Sequence, residues 1–425
     1  MSGDVPRRRG LLRRRDFCCL WGGEAVSDLG SAVSGVVLPL VAIVYLHAGA
    51  FAVGALAATE WVPWLLIGLP AGVWVDRSRR RSLMLWCDVV RVIAIGSVPV
   101  AAAADVLTLG QLYAVALVTG LATVIFQVAY QAYLPVLVDG VELAEANAKT
   151  QGTRAVAEVA GPGLAGLLVH LFRAPFALIA DAASYLVSAV ALVSIRTRES
   201  APTPTERNLR REIAEGARYV RADPLLRVMT IAPALANFFF TGFAAIEVLF
   251  LVHSVHLAPS TVALVIGVVS LGSVLGAVIA RPVGRAIGTA RATWLSTAVT
   301  APFGILIAAT TRGAGLVLFI VGAVLLYTGI LVYNVTIGSF RQAYCPPQIL
   351  GRVVASMRFV LFGVVPLGAL VGGALASAFG ARTAVLILLI GNVTPGLVLA
   401  TSPLRGMRDL PGGQTVPRAV SPATR

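Results

Sequence analysis

The feature that most constrains this chain is a succession of long apolar segments. A helix needs about 20 apolar residues to cross the hydrocarbon layer of a membrane, and segments of that length recur along the chain. We predict an all-α polytopic membrane protein with twelve transmembrane helices. The predicted spans cover residues 20–47, 51–74, 83–104, 111–138, 153–172, 175–195, 225–253, 260–280, 293–311, 315–340, 353–379 and 383–402.

The charge content supports this class and indicates the orientation. Only 13% of the 425 residues are charged, whereas soluble domains contain about 25%. A net charge of +14 would favour nucleic-acid binding in a soluble protein. Here the arginines cluster in short connections and tails, as they do on the cytoplasmic side of membrane proteins. We therefore expect both termini in the cytoplasm, a lipid bilayer as the surrounding medium, and no nucleic-acid partner.

One long polar stretch divides the spans into two sets of six. Residues 166–177 also parallel residues 373–384 at a constant offset of 207, with Gly166 opposite Gly373 and Phe172 opposite Phe379. Such a repeat is typical of transporters. The predicted regions are a basic cytoplasmic segment (1–19), an N-terminal six-helix bundle (20–195), a cytoplasmic linker (196–224) with a helix in 206–222, a C-terminal six-helix bundle (225–402) and a disordered cytoplasmic tail (403–425). The polar connector 141–151 is also predicted to be helical.

The most charged short connection lies between the second and third spans. Charges are costly in hydrocarbon, so these residues are expected in a tight turn at the cytoplasmic face of the membrane. We expect Gly72 to let two helices approach closely, and the Asp76 carboxylate and the arginines to latch neighbouring helices. A plain stop-transfer cluster is the alternative, although it would need neither Gly72 nor Asp76. The predicted gate residues are Gly72, Asp76, Arg77, Arg80 and Arg81.

Several stretches resemble one known family. The pattern Gly-x-x-x-Asp-Arg-x-x-Arg-Arg over residues 72–81 resembles the loop between helices 2 and 3 of the major facilitator superfamily, which usually has a glycine where Arg79 stands. Gly161, Pro162 and Gly166 resemble the Gly-Pro motif of the antiporters of that superfamily. Residues 137–147, 181–185 and 347–352 are similar to bacterial drug and siderophore exporters of the macrolide efflux and enterobactin exporter types.

The resemblance implies both a fold and a function. The fold would be two six-helix bundles related by pseudo-two-fold symmetry. The protein would export drugs, siderophores or other small amphipathic molecules across the bacterial cytoplasmic membrane in exchange for protons, by alternating access and as a monomer. No enzymatic activity, cofactor or bound metal is expected. One departure is that the arginine usual in span 4 of antiporters is missing, so Arg91 in span 3 is the available substitute.

Acidic residues within spans are candidates for proton coupling, because a charge held in the bilayer is costly and is retained for function. Glu24 and Asp28 lie four residues apart on one helical face, and their mutual repulsion favours proton binding by one of them. Asp88 is spaced to pair with Arg91, either for coupling or as a static salt bridge. Two further candidates, Glu60 and Glu247, lie on spans 2 and 7, whereas Asp181 and Glu158 are interpreted as structural.

A substrate cavity is expected to be mostly apolar with a few polar groups. The candidate lining residues are Gln127, Tyr130 and Gln131 on span 4, Asn237 and Phe240 on span 7, and Tyr327, Tyr333 and Asn334 on span 10.

Other functional classes receive less support from the sequence. No phosphate-binding loop of the Gly-x-x-x-x-Gly-Lys-Ser/Thr type is present, which disfavours transport driven by ATP. Two alternatives stay open: a proton-coupled symporter for nutrient uptake, and a membrane sensor or lipid-handling protein built on the same helices.

The latch hypothesis predicts the effect of one substitution. Asp76→Asn should abolish transport, because the carboxylate that faces the arginines is lost, while the protein still inserts into the membrane. Efflux assays in a host without its own pumps, combined with immunoblots of the membrane fraction, measure both properties. Normal efflux by this variant would contradict the latch.

Overall fold

The described structure is helical throughout. A computed structural model describes residues 11–68, 70–138, 142–197, 199, 209–345 and 347–411, and no strand occurs among them. Twelve helices in these ranges are long and apolar enough to cross a membrane, which confirms the predicted fold class.

The first half of the chain differs from the predicted spans in two places. The second span, predicted as continuous, ends at Ile67 and is followed by a separate short helix that begins at Pro70, because proline suits the first turn of a helix, where its missing N–H is not needed. Residues 143–151 of the predicted polar connector 141–151 are continuous with the fifth span, and residue 141 lies outside the described residues. The helices are α1 (Arg15–Leu40), α2 (Ala50–Ile67), α3 (Pro70–Asp76), α4 (Arg80–Ala103), α5 (Leu109–Leu137), α6 (Leu143–Phe172) and α7 (Ala174–Ser194).

The second half has its own irregular segments. The ninth span changes from an α-helix to a 3-10 helix at Ala301–Ala309, and the twelfth is interrupted before Pro395. The helices are α8 (Leu209–Ala222), α9 (Pro224–Leu249), α10 (Pro259–Ile287), α11 (Thr289–Thr300), α12 (Leu316–Tyr344), α13 (Pro347–Phe379), α14 (Ala381–Gly391) and α15 (Thr394–Ala400).

Part of the predicted disordered tail is folded. The backbone N–H of Ala290 donates to the Arg408 carbonyl over 3.1 Å, and that of Thr289 donates to the Asp409 carboxylate over 2.9 Å. These bonds occupy amides at the start of α11, which have no partner within the helix. Residues 403–411 are therefore held on α11, and the rest of the predicted disorder, 412–425, lies outside the described residues.

The linker helix α8 is bound to α13. A side chain at Gly216 would overlap the Arg352 carbonyl, so glycine permits the close approach, and the Glu215 carboxylate pairs with the Arg352 guanidinium. The Asp223 carboxylate then caps α9 and accepts a 2.7 Å bond from the Tyr344 hydroxyl. Burial raises the pKa of Tyr344, and the Asp223 charge adds to this effect. The phenol therefore remains a hydrogen-bond donor at neutral pH.

The described residues form two compact units. The described residues of 1–207 together with 245–268 form the first unit, and those of 208–244 and 269–425 form the second. Within the first unit, a Cβ atom on Gly166 of α6 would lie 2.9 Å from the Ser260 carbonyl oxygen, and one on Gly267 would lie 3.1 Å from the Gly163 nitrogen. Small residues thus allow α6 and the start of α10 to pack backbone against backbone.

The internal repeat is visible in the backbone. Helices α1 and α9 both end in a five-residue π-helix, Val41–Tyr45 and Phe250–Ser254. Each is followed by a histidine with positive φ, 52° at His47 and 59° at His256. The turn between α6 and α7 likewise matches the turn between α13 and α14, since Arg173 (φ 66°, ψ 157°) and Gly380 (φ 81°, ψ 155°) adopt the same conformation.

The two matched turn residues differ in backbone strain. The conformation shared by Arg173 and Gly380 is close to a region of φ and ψ that is essentially restricted to glycine, and another residue there costs about 1–3 kcal/mol. The first repeat therefore stores strain that the second does not.

This difference predicts opposite effects of reciprocal substitutions. Arg173→Gly should raise the free energy of unfolding by about 1 kcal/mol, because the strain is relieved, and Gly380→Arg should lower it by about 1–3 kcal/mol. Thermal unfolding of the purified variants in one detergent measures both. A lower stability of Arg173→Gly would show that the turn is not strained.

Candidate functional site

Two fully buried carboxylates and a buried guanidinium of the first unit lie in one cluster between α1, α4 and α7. The exposed fraction is 0% for Asp88 and for Asp181, and 3% for Arg91. Charged residues are rarely fully buried unless they are paired. We call this group the polar cluster; its members are Ser31, Ser34, Asp88, Arg91, Asp181, Ser184, Tyr185 and Ser188.

Asp88 and Arg91 form the ion pair that their spacing suggested. One guanidinium nitrogen of Arg91 lies 3.2 Å from Asp88 Oδ1, and the Ser188 hydroxyl of α7 donates to Asp88 Oδ2 over 2.7 Å. The guanidinium also lies over the rings of Phe126, 4.6 Å from its centroid, and Tyr185, 5.0 Å from its centroid. Cation–π contacts of this kind stabilise a desolvated cation. The pair is therefore contacted from two neighbouring helices, α5 and α7, while Arg91 Nε has no hydrogen-bond partner among the described residues.

Asp181 on α7 has hydroxyl partners instead of a cation. Its Oδ2 accepts a hydrogen bond from Ser34 of α1, and the Ser184 hydroxyl lies 3.2 Å from its Oδ1. No arginine or lysine among the described residues forms an ion pair with it. The polar cluster thus contains two carboxylates and one guanidinium, so its formal charges do not balance when both carboxylates are ionised.

Glycines on α1 bring the polar cluster together. A Cβ atom on Gly30 would lie 2.7 Å from Ser184 Cβ, and one on Gly23 would lie 2.9 Å from Ala191 Cβ. The resulting approach of α1 to α7 allows the short serine side chains to reach across. Sequence reasoning missed the serines, although a signal existed: Ser27, Ser31 and Ser34 on α1 and Asp181, Ser184 and Ser188 on α7 each follow helical spacing.

The remaining candidates for proton coupling take no part in the hydrogen bonds of the polar cluster. Glu24 and Asp28 are half-buried on α1, and Glu24 Oε2 has no hydrogen-bond partner among the described residues. Glu60 is exposed on α2. Glu247 on α9 is buried, and its Oε1 has no hydrogen-bond partner among the described residues.

Two of the predicted gate arginines, Arg80 and Arg81, bind groups at and just beyond the end of α7. Arg81 at the start of α4 donates to the carbonyls of Leu192 over 2.8 Å and Val193 over 2.7 Å. These carbonyls belong to the last turn of α7, where cations are favourable. The Arg80 guanidinium lies 3.7 Å from the carboxylate of Glu199, which also accepts a bond from the backbone of Arg81. This part of the loop joins α4 to the end of α7.

The other gate residues differ from expectation. No atom of the described residues lies within 4 Å of a Cβ built on Gly72, so this glycine does not mark a close helix approach. Arg77 is exposed and Asp76 is half-buried, and Asp76 forms no ion pair with a described residue. The carboxylate that faces a gate arginine is instead that of Glu199, which sequence reasoning missed. Asp16, also missed, accepts bonds from the backbone and hydroxyl of Thr197.

The Gly-Pro segment of α6 packs tightly on its neighbours. A Cβ on Gly161 would lie 3.3 Å from Ala32 Cα of α1, and Gly166 contacts the start of α10 as described above. Helix α6 nevertheless continues through Pro162 without a break. The segment is therefore a close-packing site on two faces of one helix.

Four of the predicted cavity residues line one cavity in the second unit. Asn237, Phe240, Tyr333 and Asn334 surround a space of about 60 Å³ between α9, α11, α12 and α15, and the Asn237 amide donates to the Leu361 carbonyl over 3.2 Å.

The other four predicted cavity residues do not line this space. The ring of Tyr327 packs edge-on against Phe240 with centroids 5.4 Å apart. The candidates on α5 belong to the first unit. There the Tyr130 hydroxyl bonds to the Thr150 hydroxyl over 3.0 Å, Gln127 is half-buried and Gln131 is exposed.

Comparisons with known proteins cover nearly the whole chain. A family model described as transmembrane secretion effector matches residues 10–416. The chain is 22% identical over 403 residues to macrolide efflux protein A of Streptococcus pyogenes, covering 89% of this chain and 95% of that protein. It is 24% identical over 416 residues to the multidrug efflux pump Tap of Mycolicibacterium fortuitum, covering 95% and 98%. The solved structure of the nucleoside transporter NupG, 13% identical, shares the fold with a TM-score of 0.75 over 90% of this chain and 98% of that one.

The buried ion pair predicts a non-additive effect on stability. Arg91→Leu should lower the free energy of unfolding by about 3–5 kcal/mol, because it leaves Asp88 buried without its cation, whereas Asp88→Leu combined with Arg91→Leu should recover most of that loss. Arg154→Leu is the matched control, since its pair with Glu158 is exposed (44% and 66%) and contributes about 0–1 kcal/mol. Thermal unfolding in detergent measures all three; equal losses in the single and double variants would contradict the coupling.

Proposed function

Because the chain belongs to the transmembrane secretion effector family of major facilitator transporters, multi-pass membrane proteins that carry small molecules across the bilayer, we propose that it is a proton-coupled exporter. Its substrates would be drugs, siderophores or other small amphipathic molecules. The direction is proposed from the efflux activities in the names of its relatives and from the tightly packed Gly-Pro segment of α6.

The unbalanced charge of the polar cluster carries the proposal of proton coupling. Asp88 has Arg91 and Ser188 as partners, whereas Asp181 has only hydroxyl groups. A buried carboxylate without a cation carries a large desolvation penalty, and binding a proton removes that charge. Asp181 is therefore proposed as a proton-exchanging group, in addition to Glu24, Asp28, Glu60, Asp88 and Glu247.

The exchange would be linked to the packing of α1, α4 and α7. Ionised Asp181 can only accept hydrogen bonds, while the protonated acid can also donate one. A proton on Asp181 therefore changes which hydroxyl partners can be satisfied across the α1–α7 contact. Each state of the carboxyl would favour a different arrangement of these helices, as alternating access requires.

The substrate is proposed to contact the cavity in the second unit. Its lining combines the Phe240 and Tyr333 rings with the amides of Asn237 and Asn334, which suits an apolar molecule with a few polar groups. The cavity of about 60 Å³ would hold only one part of such a molecule. Gln127, Tyr130, Gln131 and Tyr327 remain proposed contacts for the rest.

The gate and the orientation are proposed on electrostatic grounds. Arg80 and Arg81 hold the start of α4 to the end of α7, and Gly72, Asp76 and Arg77 complete the loop. Six arginines between residues 7 and 15 favour a cytoplasmic N-terminus, and twelve spans then return the C-terminus to the same side. We propose that one chain is sufficient for transport.

Transport by the purified protein, reconstituted into liposomes, tests the proposal. Liposomes with an imposed pH gradient and radiolabelled erythromycin, a macrolide, should show substrate movement against the proton flow. Asp181→Asn should lose the dependence on the gradient, because an amide cannot exchange the proton. Asp105→Asn, at a turn on the exposed surface, is the matched control and should behave as wild type.

Two results would count against the proposal. Gradient-driven transport by Asp181→Asn equal to that of wild type would remove Asp181 from the coupling. Movement of substrate with the protons, in wild type, would favour the uptake symporter instead.

A further inference from the structure

A groove of about 670 Å³ opens on the first unit where α6 turns into α7. Its lining is almost wholly apolar; the residues are Leu168, Leu171, Phe172, Arg173, Phe176, Ala177, Ile179, Ala180 and Ala183. Leu171, Phe172 and Ile179 are more than half exposed, and they belong to two helices that are long and apolar enough to cross the membrane. Because the turn lies at the end of two spanning helices, the groove extends from the membrane–water interface towards the hydrocarbon.

Arg173 is the only charged residue of this lining. It is exposed, and its guanidinium forms no ion pair with any residue that the structure describes. Arg382, at the turn that repeats this one, differs because its guanidinium donates to the carbonyls of Ala308 and Thr310 over 2.7 and 2.8 Å. Arg382 therefore has a structural role within the protein, whereas the Arg173 cation faces outward.

The backbone at Arg173 adds an independent observation. Its φ of 66° is a conformation that favours glycine, and the matching residue of the repeat is Gly380. An arginine therefore stands where glycine would relieve strain. Strained residues cluster at ligand-binding sites, so the strain at Arg173 indicates a role of its side chain beyond the fold.

We propose that this groove binds an anionic glycerophospholipid, with an acyl chain along the apolar lining and the phosphate beside Arg173. An apolar groove with a single cation at its interfacial end requires an amphipathic occupant with a negative head. A bilayer lipid fits that description. A net negative lipid is favoured over a zwitterionic one, because the zwitterionic headgroup carries its own cation beside the phosphate. The site is separate from the polar cluster and from the cavity of the second unit, and it does not depend on the direction of transport.

Lipid binding to the full-length protein tests this inference. The protein is purified in mild detergent, titrated with phosphatidylglycerol or phosphatidylcholine, and measured by native mass spectrometry and thermal unfolding. Wild type should retain phosphatidylglycerol preferentially and gain thermal stability from it. Arg173→Gln and Arg173→Gly should bind it about fivefold more weakly, from the loss of one interfacial cation, and Arg173→Lys should keep most of the affinity.

Controls separate the groove from general charge effects. Arg312→Gln removes another exposed arginine from a connection between spans and should leave phosphatidylglycerol binding unchanged. Inorganic phosphate at the same concentration should give no stabilisation, because it cannot fill the apolar groove. The inference is overturned if Arg173→Gln binds phosphatidylglycerol as tightly as Arg312→Gln, or if phosphate alone reproduces the stabilisation.

Discussion

The hydrocarbon interior of a membrane offers no hydrogen-bond partner to a polar group, and the arrangement of this protein follows from that constraint. Backbone groups are satisfied by helices, which occupy nearly all of the described chain. Polar side chains inside the spans must therefore form hydrogen bonds or ion pairs with one another. Asp88, Arg91 and Ser188 do so across two helices, and Asp181 does so with Ser34 on a third. The glycines of α1 are the condition for the Ser34–Asp181 bond, because they let the short serines reach α7.

The same constraint explains how much could be predicted from the sequence. Apolar length alone predicted twelve spans, since a bilayer of fixed thickness sets the length of each helix. It did not predict the break between Ile67 and Pro70 or the continuity of residues 143–151 with the fifth span, because average hydropathy does not register a local change in hydrogen bonding. The Asp88–Arg91 pair followed from its spacing. The Ser34–Asp181 bond did not, because it depends on which helices are neighbours.

Some of the candidate cavity residues lie together in the structure and others do not. Asn237 and Phe240 on α9 and Tyr333 and Asn334 on α12 line one cavity, as their polar or aromatic character within apolar spans suggested. The α5 candidates do not join them, since a polar residue in a span is equally suited to a contact with its neighbour, as Tyr130 shows with Thr150. For Gly72, the sequence motif indicated a close approach that the structure does not contain.

Repetition gives the two halves the same local geometry but different side-chain chemistry. The π-helices and the positive-φ turns recur, while the positions matched by the repeat hold Arg173 in one half and Gly380 in the other. By contrast, the Asp88–Arg91 ion pair and the Asp181 carboxylate both lie in the first unit.

Proton release on substrate binding tests the central claim most directly, because it needs neither a membrane nor a gradient. Purified protein in weakly buffered detergent solution, with a pH-sensitive dye, is mixed with erythromycin, and the protons released per protein are compared between wild type and Asp181→Asn. The account predicts release from wild type and a clear reduction in the variant when both bind the substrate. Equal release from the two proteins would show that the buried carboxylate without a cation is not the group that exchanges the proton.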